Sequence, residues 1–243
     1  MTLNTEQSKE LLMKVDIGII GAMDAEVDSL VGMLRDKKQE RVGMIDFFSG
    51  ELCGKQIVIA KCGIGKVFAA ICAEAMILKY SPSLIVNTGV GGALGHGINP
   101  TDVVIADKLC QHDMDTSAIG DPRGLVSGIN KIYFEADARA VKILGEAAAE
   151  LGVKTFVGTV ATGDKFIADP SDKERIVSEF SAISCEMEGC AIAQVAFVNN
   201  VPFAVVRAIS DSADGEADMD YPTFLPIAAK NSANMTLALM REY

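Results

Sequence analysis

The sequence of 243 residues contains no tryptophan, and aromatic residues make up only 6% of it. Aliphatic side chains must therefore fill the core of a chain whose hydrophobic fraction is 49%. That composition favours helices packed on a largely parallel sheet over an aromatic-rich β-sandwich. The length is sufficient to bury such a core within one domain.

Metal-binding side chains are also scarce. The chain has two histidines, His96 and His112, and none of its six cysteines forms a C-x-x-C pair. A structural zinc site needs several such ligands at close spacing, so we expect neither a metal nor another cofactor. Cysteines scattered through apolar stretches are typical of the core of a reduced, cytosolic protein.

Basic residues are outnumbered, with 22 against 33 acidic ones and a formal charge of −11. Nucleic acids and anionic membranes call for basic patches, so we expect the chain to bind neither. Residues 1–14 lack the apolar stretch of a signal peptide, and no apolar run reaches the roughly 18 residues that span a bilayer. We therefore predict a cytoplasmic protein with an N-terminal extension, residues 1–14, and one domain, residues 15–243.

Strand-like and helix-like stretches alternate along the chain, without a low-complexity linker or an internal repeat. This order predicts a single α/β domain with a central mixed β-sheet flanked by helices. The predicted strands are 15–20, 47–52, 56–62, 84–88, 102–107, 155–162 and 203–209, and the segment around residue 112 is also extended. The predicted helices are 66–80, 137–151, 187–198 and 221–240, with another apolar helical face over 27–34.

Glycine-rich loops follow several strands, where α/β folds commonly bind ligands. The stretch 63–66 lacks the spacing and the Ser or Thr of a phosphate-binding P-loop. Gly89, Gly91 and Gly92 do not form G-x-G-x-x-G, because Leu94 occupies the place of the third glycine. The sequence thus disfavours a nucleotide-phosphate or dinucleotide site.

Acidic residues in apolar surroundings are more informative. Glu186 and Glu188 lie in the stretch AISCEMEGCAIAQVAF, and Asp211 follows the apolar strand FAVVRAIS. A buried carboxylate is costly unless it is paired or binds something, and an ion pair with Arg207 or Lys165 is one explanation. Several strand-end acids at one sheet edge favour a pocket with apolar walls and a few carboxylates.

Such carboxylates suit the cleavage of an N-glycosidic bond, which passes through an oxocarbenium-like state. One carboxyl must protonate the leaving purine, while another stays ionised and activates water on the opposite face of the sugar. Different surroundings separate the pKa values of the two groups. The acids therefore fit the chemistry that a nucleosidase requires.

Nine motifs in order strengthen this prediction. The chain resembles the bacterial 5′-methylthioadenosine/S-adenosylhomocysteine nucleosidases, within the nucleoside phosphorylase superfamily, over nearly its whole length from about Val15. The motifs are IGIIGAMDAEV, SGEL, CGIGKV, NTGVGGAL, DVVIAD, HDMD, TGDKFI, CEMEG and VPFAVVRAISDSAD.

The resemblance implies specific roles. Glu26 is expected to activate water, and Asp211, oriented by Ser210, to protonate the purine N7. Glu188 is expected to accept hydrogen bonds from the ribose hydroxyls, with Met187 packed against the sugar.

The resemblance also implies the rest of the pocket. Phe166 is expected to stack on adenine, the backbone of Ile167 to bond to it, and Gly92 to lie at the purine loop. The ribose and alkylthio end is expected to be lined by Met23, Ile64 and Tyr221.

The family is homodimeric, which implies that the neighbouring subunit closes the alkylthio end with residues 116–121. Two departures concern the substrate: Val90 stands where the family usually has serine, and Ile119 and Asp121 stand where aromatic residues are common. The preferred 5′-substituent is therefore open.

Three alternatives remain at this point. A phosphorylase on the same fold needs a cationic phosphate site, for which Arg207 is a candidate, but Glu26 beside bound phosphate is unfavourable. A futalosine or 5′-deoxyadenosine hydrolase differs only in the substrate it prefers. A non-catalytic nucleoside-binding protein is favoured by Val90 alone.

Overall fold

The computed structural model describes residues 14–214 and 217–243, so the extension predicted for residues 1–14 lies, apart from Lys14, outside them. Across the described ranges no helix combines the length and apolar character needed to cross a membrane. The strands are β1 Ile17–Gly21, β2 Arg35–Val42, β3 Ile45–Leu52, β4 Lys55–Lys61, β5 Leu84–Ala93, β6 Val103–Gln111, β7 Phe134–Glu135, β8 Thr155–Thr162, β9 Ala182–Glu186 and β10 Phe203–Asp211. The helices are α1 Asp24–Met33, α2 Lys66–Tyr80, α3 Ala138–Leu151, α4 Pro170–Phe180, α5 Gly189–Val198 and α6 Ala217–Glu242.

Five strands of the mixed sheet close into a ring. β10 pairs with both β5 and β6, β8 lies between β6 and β9, and β9 returns to β5. Beyond β5, the sheet continues through β1, β4, β3 and β2. The predicted single α/β domain with a mixed sheet is confirmed, and the closed ring is a feature that strand prediction does not reveal.

The strand ends meet at one place because of the register. Asp211, the last residue of β10, pairs with Gly92 of β5, which in turn pairs with Cys185 of β9. Glu186, the last residue of β9, pairs with Thr162 at the end of β8. Polar residues that end three strands, β8, β9 and β10, are thereby brought together beside the end of β5 at one edge of the ring.

Helices cover the sheet on two sides. α2 and α5 pack with one core cluster around Met76 and Ile192, while α1, α3 and α6 pack with another around Leu30 and Leu144. Local sequence sets several helix ends: Asp137 caps α3 by accepting a 2.8 Å hydrogen bond from the N–H of Ala140. The sheet that carries the site is therefore packed between two layers of helices.

The end of β5 and the start of α6 differ from the prediction. β5 does not end at residue 88 but continues through the glycines to Ala93, and all ten of its residues are buried. Gly89 belongs in this strand because a Cβ would collide with Arg207 and lie 2.6 Å from Glu26 Oε1. α6 begins at Ala217 rather than 221 and contains Pro222 and Pro226.

Among the elements absent from the predicted set are β2 and α4. β2 (RDKKQERV) is almost wholly exposed, so it carries no apolar alternation and forms only because β3 pairs with it. α4 follows the Asp169-Pro170 start signal, with Asp169 accepting a 2.8 Å hydrogen bond from the N–H of Ser171. That cap was a usable sequence signal for a helix.

The cysteines are all unpaired, and five of the six are buried. Cys53 is the exception to the expected core position. It lies exposed in the β3–β4 turn, with φ of 55°.

Candidate active site

A cavity of about 450 Å³ opens where β5, β8, β9 and β10 end. All twelve residues predicted for the site line it, together with Ala22, Gly91, Lys165, Cys185 and Glu186. The predicted set is Met23, Glu26, Ile64, Val90, Gly92, Phe166, Ile167, Met187, Glu188, Ser210, Asp211 and Tyr221. Residues that are separated by up to nearly 200 positions in the sequence therefore line one cavity. The roles assigned to them are predictions.

Glu26 is buried on the first turn of α1, directly after β1. Its Oε2 accepts hydrogen bonds from the N–H groups of Ala22 and Met23, at 2.7 and 2.9 Å. Its Oε1 accepts a 3.0 Å hydrogen bond from the N–H of Val90. Burial raises the pKa of Glu26, and these N–H groups and the charge of Arg207 oppose that rise only partly.

Asp211 ends β10 and is also buried. Its Oδ2 accepts a 2.8 Å hydrogen bond from the hydroxyl of Ser210, and its Oδ1 accepts one of 3.0 Å from the N–H of Ala213. Burial raises the pKa of Asp211, with a smaller contribution from the charge of Asp220. A carboxyl with a raised pKa is suited to donate a proton.

Arg207 lies beneath the cavity, only 1% exposed, and joins the remaining acids. Its Nη2 donates to Glu186 Oε2 and Asn87 Oδ1, and Glu188 Oε2 lies 3.7 Å away. The sequence left an ion pair between Arg207 and Asp211 open. The structure instead pairs Arg207 with the two glutamates of β9 and its following turn.

Glu188 is held by a hydrogen bond from the residue that precedes α2. Its Oε1 accepts a 2.9 Å hydrogen bond from the N–H of Gly65, which precedes α2. Burial, followed by the charge of Glu186, raises the pKa of Glu188 to about 7. Arg207 and the Gly65 N–H limit the rise but do not cancel it, because one guanidinium faces three buried carboxylates.

Apolar side chains form the outer wall. Phe166 and Tyr221 contact each other edge to face, with ring centroids 5.6 Å apart. The Tyr221 hydroxyl donates to the Met23 sulfur at 3.2 Å. Phe166 and Ile64 are both about half exposed at the mouth. A flat, apolar ligand end fits between these side chains better than a charged one does.

Residues 116–121, predicted to close the cavity of a neighbouring subunit, do not line the cavity of their own chain. They form an exposed loop with a short 3₁₀ turn, Ser117–Ile119. The Thr116 hydroxyl closes the loop by donating to Asp121 Oδ2 at 2.9 Å.

Three polar residues that support β5 next to the cavity were not predicted from the sequence. Thr88, Ser232 and Thr236 form a buried hydroxyl cluster, in which Ser232 accepts a 2.9 Å hydrogen bond from the Gly89 N–H. Nothing in the sequence of α6 marks these hydroxyls, because isolated Ser and Thr on a helix are common. Within residues 14–214 and 217–243, no group of His, Cys, Asp and Glu side chains is placed to hold a metal ion.

Comparison with known proteins agrees with this geometry. The family model of the phosphorylase superfamily matches residues 16–241. The 5′-methylthioadenosine/S-adenosylhomocysteine nucleosidase of Actinobacillus succinogenes is 38% identical over 227 residues, which cover 93% of this chain and 98% of the relative.

Solved structures are similar over the whole fold. The nucleosidase of that name from Neisseria meningitidis, in complex with methylthio-immucillin-A, has a TM-score of 0.91 and 34% identity, covering 94% of this chain and 99% of its own. The futalosine hydrolase of Helicobacter pylori has a TM-score of 0.89 and 34% identity, covering 96% and 99%. The chain belongs to the phosphorylase superfamily and, within it, to the 5′-methylthioadenosine/S-adenosylhomocysteine nucleosidase family.

Proposed function

We propose that this chain hydrolyses the N-glycosidic bond of 5′-methylthioadenosine and S-adenosylhomocysteine, releasing adenine and the 5′-thio-ribose. The observation that carries the proposal is that two buried carboxyls, Glu26 and Asp211, line the same apolar-walled cavity. The names of the relatives that the chain matches over almost all of its length support the substrate class.

The two carboxyls have different roles. Asp211 protonates the adenine N7 as the bond breaks, and the Ser210 hydroxyl and Ala213 N–H fix its orientation. Glu26 takes a proton from the attacking water, because its two oxygens are fixed by three backbone N–H groups and stay close to Arg207. The buried setting strengthens the interaction of Glu26 with the cationic sugar of the transition state.

Glu188 accepts hydrogen bonds from the ribose hydroxyls, and Met187 beside it packs against the sugar. Adenine occupies the space between Phe166, the backbone of Ile167 and Gly92. The 5′-thio substituent extends toward the exposed mouth, where Met23, Ile64 and Tyr221 lie.

Hydrolysis is favoured over phosphorolysis by the charges around Arg207. A phosphate would need this guanidinium, but Arg207 already donates to Glu186 and Asn87 and lies near Glu188 and Glu26. An added dianion among three buried carboxylates would be strongly repelled.

Futalosine is the second candidate substrate, and the similarity to a solved futalosine hydrolase favours it. Val90 also favours a substrate other than the usual one of the family. It places an apolar side chain where the family usually has a serine, whose hydroxyl could contact ribose or water. 5′-Deoxyadenosine is a weaker candidate on the same grounds, and Glu26, Glu188 and Asp211 together argue against a protein that only binds nucleosides.

The proposal includes a homodimer. α2 exposes a row of large apolar side chains, Val67, Phe68, Ile71 and Leu78, next to Ile64 at the cavity mouth. Such a continuous apolar row on a helix is typical of a protein interface. A second copy placed there brings its residues 116–121, with the exposed Ile119, to the open end of the cavity. Sedimentation velocity tests this: a dimer is expected, and a monomer would contradict it.

A cytoplasmic location is part of the proposal and is supported by six unpaired cysteines. We also propose that the reaction needs no cofactor. Activity that disappears with a chelator and returns with a metal would contradict that statement.

The deciding experiment is chromatographic detection of the released base. Methylthioadenosine, adenosylhomocysteine, 5′-deoxyadenosine and futalosine are incubated with the protein, each with and without phosphate. Adenine release from the thio-nucleosides without phosphate is expected. Strict phosphate dependence would identify a phosphorylase instead, and preferential turnover of futalosine would identify the second candidate.

A further inference from the structure

An ion pair outside the cavity lies against two of the segments that line it. Lys66 Nζ lies 2.6 Å from Asp113 Oδ1, and neither residue lines the cavity. Lys66 begins α2, while Asp113 lies just beyond the end of β6. The residues at the carboxyl end of β8, 163–167, which we call the adenine loop, lie against both.

Asp164 in the adenine loop is fixed from two directions. Its N–H donates a 2.9 Å hydrogen bond to Asp113 Oδ2. Its own Oδ1 accepts a 2.8 Å hydrogen bond from the N–H of Lys66. Phe166 and Ile167 follow within three residues, so the position of Asp164 sets where these two cavity residues begin.

The same helix end also holds Glu188. The N–H of Gly65 donates to Glu188 Oε1, while the next N–H, that of Lys66, donates to Asp164. Gly65 has φ of 99°, and a Cβ there would lie 3.0 Å from Asp164 Oδ1, so a side chain would strain this arrangement. The first two N–H groups at α2 are therefore shared between the adenine loop and the ribose acceptor.

We propose that Lys66 and Asp113 are positioning residues, whose ion pair holds the adenine loop against the amino end of α2 and so aligns Phe166 and Ile167 with Glu188. The inference rests on the proposed nucleosidase function, but neither residue touches the substrate. Their effect passes through Asp164 and Gly65 to both ends of the bound adenosine.

The surroundings keep this pair together. Burial alone would raise the pKa of Asp113, but the hydrogen bonds from Lys66 and the Asp164 N–H outweigh it and hold the pKa below its usual value. The Lys66 ammonium also donates to Gln111 Oε1 at 3.1 Å, and Gln111 donates to Gln194 at 2.7 Å. An isolated surface ion pair contributes little, whereas this one is partly buried and belongs to a network.

The loop also rests on a buried ring. The imidazole of His112 is buried and packs directly against Gly163, the first residue of the adenine loop. Burial lowers the pKa of His112, although Asp113 opposes this and Arg175 and Lys66 add to it. The His112 ring therefore supports the loop by packing against the backbone of Gly163, and the ion pair attaches the loop from the side.

The test uses Asp113→Asn, Lys66→Met and the double variant in the full chain. Each single variant is expected to raise KM for methylthioadenosine, and the calorimetric Kd for adenine, about tenfold, with kcat within about threefold. The double variant should match the weaker-binding single, because both changes remove one interaction. Lys66→Arg, which keeps the charge, should stay within about threefold of the wild type in KM.

Lys154→Met is the matched control, since it removes a 3.2 Å ion pair with Asp102 at the amino ends of β8 and β6. Its KM and adenine Kd should not change. Unfolding temperatures are measured for every variant, because a purely structural role would reduce the active fraction without changing the Kd of the folded protein for adenine.

An unchanged adenine Kd in both single variants, or losses that multiply in the double variant, would overturn the positioning role. The wild type is assayed first. Adenine binding without turnover would defeat the proposed function while the calorimetric comparison still decides the positioning role. A wild type that neither binds nor releases adenine would defeat both.

Discussion

The hydroxyl of Ser210 donates a 2.8 Å hydrogen bond to Oδ2 of Asp211, the residue that follows it in β10. In an extended strand, adjacent side chains point to opposite faces, so such a bond between neighbours needs local distortion. The register of β10 against β5 shifts between Ile209 and Asp211. This irregularity turns Asp211 into the cavity while Ser210 remains within reach.

Asp211→Asn is expected to lower kcat by about 10²–10⁴, because an amide cannot protonate N7. Steady-state kinetics with methylthioadenosine measure the loss.

Ser210→Ala should lower kcat less, by roughly tenfold, since the acid remains but loses its orientation. The Ser210 hydrogen bond holds the pKa of Asp211 down, so its removal raises that pKa. The alkaline limb of the Ser210→Ala pH–rate profile should therefore move to higher pH. A limb that stays in place would assign that titration to another group.

Glu26→Gln should also lower kcat by about 10²–10⁴, because water then has no base. Adenine binding should persist, since Glu26 is expected to lie on the ribose side. Asp28→Asn, an exposed change on the same helix, is the control and should leave kcat unchanged. Steady-state kinetics and adenine calorimetry measure both. Activity within a few-fold of the wild type would remove Glu26 from its proposed role.

Glu188→Gln should stabilise the protein at alkaline pH. The pKa of Glu188 is about 7 in the folded state against 4.5 as its reference, so the folded state holds the proton more tightly. The ionised glutamate therefore costs stability as pH rises through this range, and glutamine carries no such cost. The gain in unfolding free energy should grow by roughly 2 kcal/mol between pH 5 and pH 8.

Urea unfolding at the two pH values measures this gain, with Glu51→Gln on β3 as a control that removes an acid outside the cavity. A gain that is the same at both pH values would show that Glu188 titrates normally. Because glutamine is a poorer acceptor for the ribose hydroxyls, we also expect the Glu188→Gln variant to have a higher KM.

Arg207→Met should destabilise the fold by about 3–5 kcal/mol at pH 8, because it leaves buried carboxylates without their cation. The loss should be smaller at pH 5. Arg207 lowers the pKa of both Glu26 and Glu188, so without it these groups take up protons more readily and become neutral in mild acid. Thermal unfolding across this pH range provides the measurement. An equal loss at both pH values would mean that packing, rather than charge, dominates.

Much of this arrangement could be predicted from the sequence, because the strands are short apolar runs and the polar residues follow them. Asp211 stands out for that reason, whereas the role of Glu26 was predicted from the family resemblance. The partners of Arg207 could not be predicted, since they depend on the register that brings Gly92, Cys185 and Asp211 side by side. The closure of the ring could not be predicted either, because it depends on the pairing of β10 with both β5 and β6, which are distant in the sequence. The exposed β2 carries no apolar pattern, so only its neighbour specifies it.

The single positive charge of Arg207 is outnumbered by the carboxylates of Glu26, Glu186 and Glu188, and this has a consequence for inhibitors. Such a cavity favours a bound positive charge, and a neutral nucleoside acquires one only when its ribose becomes cationic in the transition state. A ring that carries its positive charge permanently, in the shape of the sugar, should accordingly bind more tightly than the substrate itself.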